Sequence, residues 1–191
     1  MKFAFIILSA IFYSNLAFGF AGTFYAPALV PDKIEDVKFD AYNYAVERGE
    51  GQPDCGDVEC YRIDVYLNDI HVATFPTSPG KPHPGTQHVG GYTPDYDGIP
   101  VHARGITHRD YVSYTRRYYM PYAMFFERIG NPSRMSNVAI HSGHAVTGWR
   151  LSRGCLRTLM NDAALMFNWT REARRNGGDG YLYTRHMSDR Y

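Results

Sequence analysis

The chain has 191 residues, enough for one domain with a real hydrophobic core. Its 20 Lys and Arg nearly balance 19 Asp and Glu, so neither a nucleic acid nor an anionic membrane is expected as the main partner. With 16 Tyr, 11 Phe and many Gly and Pro, the composition leans toward β structure and turns.

The first segment reads as a secretory signal over residues 1–21. Lys2 precedes the apolar run "FAFIILSAIFY", and small residues follow at Ala17, Gly19 and Ala21. These place cleavage near Phe20 or Gly22. The run is shorter than the about 20 residues a membrane span needs, so no stable membrane anchor is expected. The mature chain is therefore expected outside the cytoplasm, periplasmic or extracellular. There, cysteines usually pair. Cys55 and Cys60, close together in "CGDVEC", read as a local disulfide, with a metal pair as the alternative. That leaves Cys155 as an odd thiol, either an intermolecular linker or a reactive group.

Residues 22–57 read as an irregular N-terminal extension packed on a domain at 58–191, with a possible short helix in "KFDAYNYAVERG". Next, "YRIDVYLNDIHVATFPTS" alternates on both sides of Asn68-Asp69, which predicts two strands and a tight turn. The Pro and Gly density of "PGKPHPGTQHVGG" marks a long loop. Extended segments are expected at "IPVHARGIT", "YYMPYAMFF" and "NVAIHSG". One convincing helix follows Cys155 in "NDAALMFNWTREARRNGG", with Asn161 or Asp162 as N-cap and a double glycine stop. A last strand, "GYLYTR", follows. The expected fold is mainly β with one major helix (α+β).

A constellation with chemistry ends this pass. His141 lies at a strand end and Cys155 lies 14 residues on. A cysteine is nucleophilic as its thiolate, which needs a nearby base or positive charge. An imidazole facing the thiol supplies a base, and Arg150, Arg153 and Arg157 supply charge. Gly154 permits the sharp turn that aims backbone N–H groups at a developing oxyanion. His144 is an alternative base. His83, His88, His102 and His108 sit on different segments without ligand spacing and read as solvated loop histidines, so no metal is expected.

The stretch "IHSGHAVTGWRLSRGCLRT" resembles the active-site signature of the L,D-transpeptidases, the YkuD-type domain of bacterial cell-wall enzymes. The matching parts are Ile140-His141-Ser142, Gly148 and Ser152 to Arg157. "TFPTSPGKPHPGT" and "MPYAMFF" resemble two further family segments in order, and the likeness runs over roughly residues 58–186. It implies a β-sandwich or barrel-type domain with the active site in a strand-end cleft. It also implies a nucleophile at Cys155, a base at His141 whose other nitrogen is held by a carbonyl of Ser142 or Gly143, and an oxyanion site at Gly154 and Cys155. Substrate contacts are implied at Arg157, Ser152, Ser142, Tyr122 and Arg153, while Met120 and Tyr122 are read as either cleft lining or core. The implied partners are peptidoglycan stem peptides, with a stem amine, a D-amino acid, a wall-linked protein lysine or water as acceptor. No cofactor is implied, and a monomer is expected. A hydrolytic L,D-carboxypeptidase of the same fold and a non-catalytic wall-binding protein are the alternatives. Two departures stand out: Arg153 replaces the family's histidine before Gly-Cys, and the interval from His141 to Cys155 is short.

Overall fold

The computed structural model describes residues 24–44, 61–80, 97–101, 107–112, 119–128, 131–143, 146 and 154–185. The expected signal, the Cys55–Cys60 pair, Ser152, Arg153, His144, His83, His88 and His102 lie outside the described residues. Among the described residues the chain forms ten strands and one α-helix, the expected α+β class. In order they are β1 (Phe24–Tyr25), β2 (Asp36–Asn43), β3 (Tyr61–Leu67), β4 (Ile70–Pro76) and β5 (Ile99–Val101). Then come β6 (Thr107–Val112), β7 (Tyr119–Arg128), β8 (Asn131–Ser142), β9 (Leu156–Thr158), α1 (Met160–Arg175) and β10 (Asp179–Arg185). The strands join in the order β1-β4-β3-β2-β10-β5-β7-β8-β9, with β6 paired to β7. The core lies between this curved sheet and α1. It is filled by Phe39, Phe75, Phe126, Ile63, Leu67, Met124, Ile140, Leu156, Met166 and Leu182.

The β3–β4 hairpin forms at Asn68-Asp69 as the alternation predicts. Both residues have positive φ, 49° and 64°, the twist a two-residue hairpin turn needs. Asn68 also staples the turn to the start of β2. Its Oδ1 accepts the N–H groups of Glu35 and Asp36 at 2.8 and 3.1 Å, and its Nδ2 donates to the Lys33 carbonyl at 2.8 Å. Asn68→Ala removes all three bonds and the side chain that tolerates the left-handed backbone. It is expected to destabilise by about 2 kcal/mol, read as an earlier midpoint in denaturant unfolding.

Two expectations are corrected. The possible helix in "KFDAYNYAVERG" is strand β2 over its first half. Val37, Phe39 and Ala41 alternate into the core while Lys38 and Asp40 turn outward, the period-two signature of a strand. β2 runs parallel to β10 and antiparallel to β3. Segments read as an N-terminal extension thus supply two strands, one of them inside the sheet. The helix N-cap is also different: Leu159 occupies it with no side-chain cap bond, and Asn161 and Asp162 sit in the first turn. The double glycine ends α1 as expected. Gly177 takes φ +87°, the Gly178 N–H reaches the Ala173 carbonyl at 2.9 Å and the Gly177 N–H reaches Arg174 at 3.2 Å. A side chain at Gly178 would strike the Glu35 carbonyl, which is why the chain can turn tightly from helix into β10 only with glycine there. Among the described residues no helix is long and apolar enough to cross a membrane.

The last strand of the sheet is tied back toward its other end. Beyond β4, Ser78 exchanges two backbone bonds with Arg157 of β9, at 2.9 and 3.1 Å. The Thr77 hydroxyl adds a third bond to the Arg157 carbonyl at 3.0 Å. β9 is therefore held on one side by β8 and on the other by the tail of β4, and the sheet closes toward a barrel.

Candidate active site

The β8–β9 register builds the site. The strands run parallel, with Ile140 beside Leu156, His141 beside Arg157 and Ser142 beside Thr158. Ile140 and Leu156 are fully buried in the core. Alternation then puts His141 and Arg157 on the opposite face. Continued by one residue, the same register sets Cys155 beside Ala139, whose backbone N–H bonds the Cys155 sulfur. Cys155 and His141 thus share one face of neighbouring strands, two residues apart along the strand, about 6.6 Å.

The imidazole has a fixed tautomer. Nδ1 lies 2.6 Å from the Ser142 carbonyl oxygen, which can only accept, so Nδ1 carries the hydrogen. Nε2 keeps its lone pair and can accept a proton. Of the two carbonyls the sequence left open, Ser142 supplies the bond. Ser142 itself is buried. Burial lowers the His141 pKa to about 4, against the Ser142 bond, which raises it, while the Arg157 charge lowers it further. At neutral pH the ring is uncharged. Burial also pushes the Cys155 thiol up, while the Ala139 bond and Arg157 pull it down. Arg157 therefore favours the thiolate and disfavours the imidazolium at once. The resting pair is a neutral thiol and a neutral imidazole.

Glycines shape the rest. Gly154, immediately before Cys155, is buried and has φ +123°, a conformation L side chains rarely adopt. Gly143 extends the β8–β9 pairing, its N–H donating to the Thr158 carbonyl at 3.1 Å. A Cβ at Gly143 would lie 2.8 Å from Cδ of Arg157, so the arginine stem crosses over this glycine. The Thr77–Ser78 clamp was not singled out by sequence reasoning. The clamp joins segments about eighty residues apart, and no local pattern announces such a pairing.

The "MPYAMFF" strand divides its residues between faces. Met120, Ala123, Phe125 and Ala139 form a small apolar group against which Cys155 packs. Tyr122 goes to the other side: its ring meets Phe167 of α1 edge-on at 5.6 Å and packs on the main core. Met120 belongs instead to the apolar group on the Cys155 side of this strand. Tyr122 also has φ +55°, a strained conformation for a tyrosine that costs about 1–3 kcal/mol. Arg157 shows no ion pair with Asp162, whose Oδ2 is buried without a hydrogen-bond partner among the described residues. Burial raises the Asp162 pKa to about 6. Among the described residues no group of three or more His, Cys, Asp or Glu side chains is placed to hold a metal.

No family model matches the chain, and no curated protein matches it in sequence. Solved structures are similar to it over most of its length. One from Stackebrandtia nassauensis is 10% identical with TM-score 0.46, covering 83% of this chain and 60% of that one. One from Mycobacterium tuberculosis H37Rv is 14% identical with TM-score 0.47, covering 78% and 57%. One from Xylanimonas cellulosilytica (residues 123–326) is 16% identical with TM-score 0.46, covering 81% and 63%. All three are L,D-transpeptidases. The chain spans about three fifths of the length of these structures.

Proposed function

We propose that this protein is a cysteine acyltransferase of the L,D-transpeptidase type, acting on peptidoglycan stem peptides outside the cytoplasm. The observation that supports it most is the β8–β9 register, which sets Cys155 and a tautomer-fixed His141 on one face, with Gly154 at positive φ immediately before the thiol. The active-site signature around Cys155 names the chemistry.

In this reading the Cys155 thiol gives its proton to Nε2 of His141 as Sγ attacks the carbonyl carbon between the L-centre and D-alanine of a stem tetrapeptide. The N–H groups of Gly154 and Cys155 face the developing oxyanion. The C–N bond breaks, His141 returns the proton to the departing D-alanine amine, and a thioester remains on Cys155. A second amine attacks the thioester, gives its proton to His141, and takes the acyl group as the thiol re-forms. A stem amine gives a 3–3 cross-link, a protein lysine gives an attached protein, and water gives the L,D-carboxypeptidase outcome. The uncharged resting pair favours proton transfer during attack over a preformed thiolate–imidazolium pair.

Incubation of the mature protein with purified sacculi, followed by mass spectrometry of muropeptides, tests this. New 3–3 dimers are the expected product, absent with Cys155→Ala. Tripeptides alone assign the hydrolytic activity instead, and muropeptides identical with and without Cys155 remove the enzyme reading.

A further inference from the structure

Strand β7 breaks its own alternation at Tyr122. Met124 and Phe126 face the core, while Ala123 and Phe125 face the side of Cys155, as period two requires. Tyr122 keeps its parity and packs on the core. Met120 has the same parity, yet it joins Ala123, Phe125 and Ala139 against Cys155, where it is only 8% exposed. An inserted residue does not explain the switch. Pairing with β6 keeps one register from Val112 beside Tyr119 to Thr107 beside Met124. What separates the two parities is the backbone of Tyr122, at φ +55°. A residue in the left-handed region rotates the chain that precedes it, and tyrosine takes that region only when its surroundings hold it there. The edge-on contact with Phe167 of α1 is such a hold.

We propose that Tyr122 is a positioning residue: its left-handed backbone turns Met120 onto the face of Cys155, where the thioether forms the apolar wall of the subsite for the group flanking the scissile amide. The subsite half of this rests on the acyl-transfer reading above, whereas the backbone half does not. An unbranched, polarizable methionine suits such a wall because it adapts to the shape of a bound aliphatic group.

The test pairs one variant that keeps the backbone with one that opposes it. Glycine adopts positive φ without strain, and β-branched valine resists it. In full-length protein labelled at the methionine methyl, the Met120 methyl is expected to show nuclear Overhauser contacts to the methyls of Ala123 and Ala139. Tyr122→Gly keeps these contacts and Tyr122→Val loses them. On sacculi, Tyr122→Val and Met120→Ala each raise KM for the donor about tenfold with kcat within about threefold, and the double variant is no worse than either. The iodoacetamide rate of Cys155 stays within about twofold in all of them, because the β8–β9 pair is untouched. Loss of the contacts in Tyr122→Gly overturns the proposal, since the ring and not the backbone would then set Met120. Retained contacts in Tyr122→Val overturn it as well. Wild-type protein that leaves sacculi unprocessed defeats the acyl-transfer reading and the subsite with it, while the methyl contacts still decide the backbone role.

Discussion

His141→Gln lowers acyl transfer by about three orders of magnitude, the size of effect expected when a positioned general base is removed. Glutamine fills similar space and can still donate toward the Ser142 carbonyl, so the loss reads the missing base and not a collapsed strand. Thiol alkylation separates the two explanations. With the resting thiol already neutral, the Cys155 pKa measured from its pH-dependent alkylation changes little in the variant. A variant that retains more than about a tenth of wild-type transfer would remove His141 as the base and direct attention to His144. The wild-type acid limb is a further check. Because the imidazole must be neutral to accept the proton, activity rises with pH through about 4 and is not limited near 6.5.

The second large effect concerns Asp162 and the stability of the fold against acid. In the folded protein the His141 pKa is about 4, below its ordinary 6.5. Between those values the unfolded chain binds more protons, so stability falls as pH drops from about 6.5 to about 4, by about 3 kcal/mol in all. Asp162 works in the opposite direction. Its folded pKa is about 6 against an ordinary 3.8. Between those values the folded chain binds more protons, so stability rises as pH drops from about 6 to about 3.8, again by about 3 kcal/mol. The two contributions nearly cancel, and each is exposed by removing the other. Asp162→Asn is expected to stabilise at pH 7 by about 3 kcal/mol, because it removes a buried carboxylate with an unpartnered oxygen. The same variant then loses that advantage on acidification. His141→Gln gains stability over the same range. Denaturant midpoints at pH 7 and pH 4.5 check both. Parallel pH profiles for wild type and Asp162→Asn would show that the carboxyl ionises as it does in water.

Much of this architecture is legible in the amino-acid order because local physics sets it. Asn68-Asp69 between two alternating runs, the apolar face of α1 and its glycine stop all act over a few residues. So does the pattern of Ile140, His141 and Ser142. What escaped depends on distant partners. β2 alternates as Val37, Phe39 and Ala41, but Tyr42 and Asn43 are buried as well. That blurs the period, and its neighbour β10 lies almost at the other end of the chain. The helix start escaped because Leu159 caps without a side-chain bond. At the site, spacing and residue type singled out Cys155 and His141, and the β8–β9 register sets them on one face. The strain at Tyr122 was not readable, since tyrosine carries no mark of a left-handed backbone. Nor was the buried state of Ser142, which only the register reveals.

The three-residue strand β9 gives the nucleophile a place in the order of folding. Its middle residue, Arg157, is bonded through backbone N–H and carbonyl to Ser78, a separation of 157 − 78 = 79 residues. Bringing such distant segments together carries the entropy of closing a long loop, so contacts of this kind form after the nearby hairpins. The seam between the two ends of the sheet is therefore the last part of the barrel to knit. Cys155 stands two residues before the Arg157 bonds that close it. The thiol and the glycine turn before it therefore take their final places late, when the nearby hairpins of the sheet have already formed.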